Sequence, residues 1–349
     1  MKNEKGIPHD KSGDYYGENN YGLFIYGFVR TDEPQEFGDI GIGNTGSKVQ
    51  TLGFKDVAAV VSESPYMVYD SLAKEKTVKD LVTHQFVIEK VMQRFTIVPA
   101  KFGTMVETED DGLAFLQQGY ALLSSELSKM EGKIELDVVA RWDLPKILAA
   151  IPRLNPVVQE KQKEIVLKGS NVSVEDKIAL GKAIEQALQT EKARYQQLIL
   201  HALKEGAVDV RLHNVANDEM IFNAGFLVGK ENEKSFTEAI EILDRDLEDS
   251  ISFRVVGPLP VYSFSTILLE RIDPRTLEEA KKVFGLDGEI TEKAVRDTYR
   301  HLAQKSHPDK SHSTDAPDFH LVHSAYRTLK DFTEKGLMHI GVYQWDNNV

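Results

Sequence analysis

The chain has 349 residues, 41% of them hydrophobic and 28% charged, with a formal net charge of −13 and no cysteine. That length and apolar content predict two or three domains with real cores and exclude a wholly disordered chain. The acidic excess argues against broad nucleic-acid binding, and the lack of cysteine removes disulfides, thiolate nucleophiles and Cys-ligated zinc.

In chain order, residues 1–20 are polar, carry no apolar periodicity and are expected to be a flexible tail without a secretory pattern. YGLFIYGFVR from Tyr21 and VAAVVSES from Val57 read as strands. In GIGNTG, Gly41 to Gly46 spell a dinucleotide-type glycine pattern. The stretch before Val57 is too short for a crossover helix, so a loop between strands is the better reading. A helix is predicted near Val78 to Phe95, with Leu81, Ile88, Val91 and Phe95 at helical spacing, and His84 is read as a half-buried residue on that face with its hydrogen bonds satisfied. A second helix opens at Thr108 and runs to about Met130. KIELDVVARWD follows as a strand with Ile134, Leu136, Val138, Ala140 and Trp142 on one side. The next region predicts a long helix from Ser173, strands in AVDVRLHN and MIFNAGFLVG, a helix in EKSFTEAIEILDRDLED, and a return to strand in ISFRVVGPLPVYSF. Strand, strand, helix, strand is part of a ferredoxin-like unit.

Several of these pieces resemble the gas vesicle protein GvpL/GvpF family over about residues 21–270. The resemblance rests on LFIYGFVR, VAAVVSES, His84, VPAKFGT with Phe102, Gly103 and Thr104, GKIELDVVARWD, and GPLPVYSF with Gly257, Pro258, Pro260 and Tyr262. Leu259 departs from it, standing where the family often has an aromatic. It implies a two-domain α/β assembly factor or minor component of gas vesicles that contacts the small hydrophobic shell protein GvpA, and not an enzyme. Taken on their own chemistry, the glycines and prolines of these motifs are bends and turns, so they are expected as structural determinants.

Residues 278–332 change character to helix-only patterning. A short helix and a Gly turn lead to a helix opening at Thr291, then a loop, then a helix from near Asp318. Val295, Tyr299, Leu302 and Ser306 share one face, Lys293, Arg296 and Arg300 make a neighbouring basic stripe, and Phe319, Val322, Tyr326 and Leu329 line the partner helix. Between the helices stands His307-Pro308-Asp309, where proline stops the first helix and restricts the histidine before it. AVRDTYRHLAQKSHPDK and FHLVHSAYRTLKDF resemble the J domain of DnaJ-type co-chaperones, over about residues 273–334. The resemblance implies docking on a DnaK-type ATPase, steered by Lys293, Arg296 and Arg300 and triggered through His307, Pro308 and Asp309. It departs from the J-domain pattern in a short first helix with AKKVFGL at its start.

The expected fold class is therefore α+β: two ferredoxin-like-type α/β domains and a small all-α helical hairpin. The expected divisions are a tail at 1–20, domains at 21–143, 144–272 and 273–334, and a C-terminal tail at 335–349. Expected partners are GvpA, other gas vesicle proteins and a DnaK-type ATPase, without nucleic acid or a membrane span. No cofactor is expected. A cluster of His301, His307, His312, His320 and His323 lacks a frame that would fix a metal, so no metal is expected either. The location expected is cytoplasmic and gas vesicle associated. A general J-domain co-chaperone with an unrelated client region is the alternative reading.

Overall fold

The structure, a computed structural model, describes residues 21–43, 46–67, 69, 74–247, 250–286, 288–306 and 319–343. Spatial proximity divides the chain into two units that interleave in sequence, one of residues 1–84, 100–124 and 267–343, the other of 85–99, 125–266 and 344–349.

The first unit is built on β1 (Tyr21–Arg30), β2 (Glu36–Gly41), β3 (Ser47–Phe54) and β4 (Val57–Pro65), in the antiparallel spatial order β2-β3-β4-β1. Residues Gly22 to Val29 of β1 are all buried, which is why LFIYGFV is continuously apolar and does not alternate. The register between β1 and β4 slips at Tyr26: Ile25 faces Val61 and Gly27 faces Val60, leaving Tyr26 as the extra residue of a bulge. Gly41 ends β2 and Gly46 immediately precedes β3, so the glycine pattern joins two strands of a hairpin, in keeping with the loop reading. The hairpin strands β2 and β3 were not anticipated, because their polar, Gly-interrupted sequences lack a clean period of two. Next in the chain come α1 (Lys74–Met92), which passes into the second unit after His84, β5 (Ile97–Pro99), which belongs to the second unit, and β6 (Met105–Val106), which pairs to β1. The helix α2 (Glu109–Met130) follows, and Thr108 Oγ1 accepts from the Asp111 amide at 3.1 Å as its cap.

The second unit centres on the strand β7 (Lys133–Trp142), whose Ile134, Leu136, Val138, Ala140 and Trp142 all enter one core. Two helices follow that the sequence reading passed over, α3 (Leu144–Leu154) and α4 (Pro156–Lys168). Both begin in the same way. Asp143 caps the Lys146 amide at 3.1 Å, Asn155 caps the Val157 amide at 3.0 Å, and each cap is followed by a proline in the first turn, Pro145 and Pro156. The long helix α5 (Val174–Lys204) has a full capping box between Ser173 and Asp176. It buries Ala183, Ala187, Tyr195, Ile199 and Leu203, steps of four residues and one of eight that lay one stripe on the core. Then come β8 (Asp209–Leu212), β9 (Met220–Gly229), α6 (Glu233–Leu247) and β10 (Ile251–Leu259). The sheet order is β10-β7-β9-β8, antiparallel throughout.

Residues 267–343 return to the first unit as β11 (Ile267–Arg271), α7 (Pro274–Phe284), α8 (Glu292–Ser306), α9 (Phe319–Lys335) and β12 (Met338–Val342). Asp273 caps α7 at the Arg275 amide, 3.0 Å away, and Gly285 closes it in the left-handed conformation, φ 61°. The stretch expected to be a tail from 335 contains β12. MHIGV is apolar and β-compatible, and it pairs residue for residue with ILLER in β11. The chain is thus of mixed helix and sheet, with a helical segment near its C-terminus. Among the described residues no helix is long and apolar enough to cross a membrane.

Candidate functional site

The helical segment builds its site from a small shared core. Leu277, Ala280 and Phe284 of α7, Val295 of α8, and Val322, Ala325 and Leu329 of α9 are buried together, with Tyr299, Leu302 and Tyr326 packed against them. The Tyr299 and Tyr326 rings stack with centroids 4.0 Å apart. Phe319 is 38% exposed and stacks on His323 instead, so it sits at the rim of the stripe. With Val295 turned inward, the three-and-four spacing of Lys293, Arg296 and Arg300 places all three on the exposed side of α8. Arg296 pairs with Glu292 one turn earlier, and Arg300 lies 3.9 Å from Asp297. These are solvent-screened pairs of small energetic weight, which leaves the guanidiniums available to a stronger acidic partner. His307, Pro308 and Asp309 lie outside the described residues.

The other motif residues take structural positions. His84 is 2% exposed, and its ring packs on Phe24, Tyr26 and Phe102 with centroids 5.4 to 5.6 Å away. Contrary to the half-buried, satisfied histidine expected, neither ring nitrogen has a hydrogen-bond partner among the described residues, and burial lowers its pKa to about 4, so His84 is neutral at physiological pH. Its helix face differs from the expected one. Leu81 is 46% exposed, whereas Asp80, Ile88 and Val91 are buried. Tyr26 accepts from the Ile42 amide at 2.8 Å and meets Ser62 Oγ at 2.8 Å, and burial pushes its hydroxyl up to about 12. Phe102 and Gly103 turn the chain, with Gly103 at φ 86°, and Thr104 Oγ1 closes the turn on the Lys101 carbonyl at 2.6 Å.

In the second unit the GPLPVYSF motif covers a polar cluster that the sequence reading missed. Ser263 Oγ lies 2.5 Å from Glu135 Oε1 and 3.1 Å from His213 Nε2, while the Ser263 amide donates to Glu135 Oε2 at 2.9 Å. Asp137 stands beside Glu135, two residues along β7. A Cβ on Gly225 would meet Glu135, Asp137 and Ser263 within 3.3 Å, so this glycine makes room for the cluster. The signal lay in the alternation of IELDVV, which turns Glu135 and Asp137 away from the Ile134 and Leu136 face. What the alternation does not reveal is that the Val261–Thr266 turn buries that opposite face. Pro260 and Val261 are buried there, Tyr262 is half-buried, and Gly257 joins Pro258 through a cis bond. Burial raises Glu135 to about 8 and also raises Asp137, so the pair holds a proton at neutral pH.

Opposite pH slopes follow. His84, with its folded pKa depressed, contributes stability that is lost as pH falls from about 6.5 toward 4, by up to roughly 3 kcal/mol for its shift alone. Glu135, with its folded pKa raised, costs stability as pH climbs from its ordinary 4.5 toward 8. Thermal melts across pH should show His84→Phe flattening the acid limb and Glu135→Gln flattening the neutral-to-alkaline limb. Unchanged slopes in both variants would contradict these assignments.

Comparisons with known proteins identify the family of the chain. The family described as "Gas vesicle synthesis protein GvpL/GvpF" matches residues 22–266, and the DnaJ domain matches residues 282–337. The chain is 27% identical to Gas vesicle protein F of a Nostoc species over 252 residues, 70% of this chain and 98% of that one. It is 29% identical to Gas vesicle protein F of a Streptomyces species, covering 69% and 98% respectively. The crystal structure of the gas vesicle protein GvpF from an Anabaena species superposes with a TM-score of 0.61 at 27% identity, covering 70% of this chain and 97% of that one. The chain belongs to the gas vesicle synthesis protein GvpL/GvpF family and carries a DnaJ domain C-terminal to the family region.

Proposed function

We propose that this protein acts in gas vesicle assembly by holding the apolar shell protein GvpA and recruiting a DnaK-type chaperone ATPase through its C-terminal helices. The observation that carries the reading is the union of two matches in one chain, the vesicle family at 22–266 and the DnaJ domain at 282–337. An apolar shell subunit exposes surface that aggregates before incorporation, and a bound ATPase gives its holder a means of timed release. In this reading Lys293, Arg296 and Arg300 steer the ATPase, His307, Pro308 and Asp309 trigger hydrolysis, and His84, Phe102, Gly103, Thr104, Gly257, Pro258, Pro260 and Tyr262 maintain the fold. The protein is not an enzyme, and it works in the cytoplasm at the growing vesicle. The succession β7, helices, β8, β9, α6, β10 with the order β10-β7-β9-β8 supports a ferredoxin-like second unit. The order β2-β3-β4-β1 lends the first unit no such support.

Pull-down with purified GvpA tests the holding role. Residues 21–272 fused to a tag should retain GvpA, and an unrelated acidic protein of similar size should not. Equal retention by both would remove the specificity, and retention of unrelated clients with no preference for GvpA would favour the general co-chaperone.

A further inference from the structure

The two ends of the helical segment do not hang free. The β11 and β12 strands pair from Ile267 with Val342 to Arg271 with Met338, and the Ile272 amide continues the ladder to the Leu337 carbonyl at 3.0 Å. Lys335, at the end of α9, reaches Glu270 at 2.7 Å across the same ribbon. A two-stranded ribbon alone is marginally stable in water, so its persistence depends on what it packs against.

Here it packs against the body of the first unit. Arg271 lies 3.1 Å from Asp111 and 3.9 Å from Glu107 at the start of α2. Further along α2, the Gln118 side-chain amide donates to the Met338 carbonyl at 3.1 Å. Gly119 leaves a notch filled by Ile340 so closely that a Cβ at position 119 would collide with its Cδ1. The Lys101 amide donates to the Ile267 carbonyl at 2.8 Å, and its ammonium stands 5.4 Å from the Tyr343 ring centroid. The contacts therefore run from residues 100–101 and 107–119 to both strands of the ribbon.

We propose that β11 and β12 form an intramolecular clasp, seated on α2 through Ile340 in the Gly119 notch, that holds the helical segment to the first unit and presents it in one fixed orientation. The basic face of α8 is then carried at a set position and not on a tether. An ATPase docked there would act at a fixed place relative to the first unit. That consequence rests on the proposed function, whereas the clasp itself does not.

The test needs no chaperone. Hydrogen exchange on the full chain reads the amides of 267–271 and 338–342, and nitrogen relaxation reads the tumbling of α7–α9. In the wild type the ribbon amides should exchange at least about 100-fold slower than in an open strand, and the helices should tumble with the rest of the first unit. Gly119→Val and Ile340→Asp should each expose the ribbon and let α7–α9 tumble faster, with the amides of β1 and β4 still protected. The pair Gly119→Val with Ile340→Ala should recover protection, because the added methyls occupy the space that the isoleucine vacates. Fast ribbon exchange in the wild type, or slow tumbling of α7–α9 after the ribbon has opened in Ile340→Asp, overturns the clasp. Loss of β1 protection in both single variants without recovery in the pair would show Gly119 and Ile340 to be ordinary core contacts and would also overturn it.

Discussion

His307→Gln and Asp309→Asn each reduce stimulation of a DnaK-type ATPase from the same cell to the unstimulated rate, while the melting temperature stays within a degree or two. The expectation follows from the sequence alone, in which a proline within His307-Pro308-Asp309 predicts a helix stop and an exposed polar loop. Substitutions away from caps and cores usually shift stability by less than about 0.5 kcal/mol, so loss of function and loss of fold separate cleanly at these positions. Single-turnover hydrolysis with each variant makes the measurement. Arg296→Ala gives a milder and differently shaped result. Its guanidinium is half exposed and, among the described residues, pairs with Glu292, so removing it slows association at low salt, and the difference fades as salt is raised. A His307→Gln protein that stimulates normally but melts many degrees lower would show the tripeptide to be a helix stop with a structural histidine.

Leu329→Ala gives the opposite pattern. Leu329 is fully buried in the core that α7, α8 and α9 share, and its truncation leaves a cavity among Leu277, Val295 and Val322. The cost expected for such a truncation is on the order of 3 kcal/mol, borne by a segment with few buried side chains to spare. Its helices should melt well before the rest of the chain, and chaperone stimulation should disappear with them. Calorimetry resolves this as a separate, earlier transition. A single transition lowered as one unit would show instead that the helices and the first unit unfold together.

Much of this architecture was legible in the sequence, for identifiable reasons. The strand β1 announced itself by an uninterrupted apolar run, β7 by strict alternation, and α5 by Ser173 and Asp176 ahead of a regular four-residue repeat. The helices α3 and α4 were hidden by their shortness and, in α3, by the internal Pro152, although an acid or amide cap followed by proline marks both starts. The strand β12 was missed because five residues near a polar C-terminus carry no signal of their own, and only β11, 67 or more positions earlier, makes them a strand. The Glu135 cluster was missed for a related reason. A carboxylate on the alternate face of a strand normally faces water, and the turn that covers it lies 128 residues away in sequence. The basic face of α8 was readable from spacing alone, since one buried valine fixes the outward direction of its neighbours.

The central claim is that one molecule engages a vesicle shell subunit and a chaperone ATPase together. Sequential affinity purification tests it most directly: tagged GvpA captures the full chain, the eluate is captured on the tagged ATPase in the presence of ATP, and all three components are quantified. The account predicts a ternary complex that a variant with Lys293, Arg296 and Arg300 all replaced by glutamate fails to form while still binding GvpA. Recovery of only binary complexes with wild-type protein, or equal ternary recovery with that variant, would contradict it.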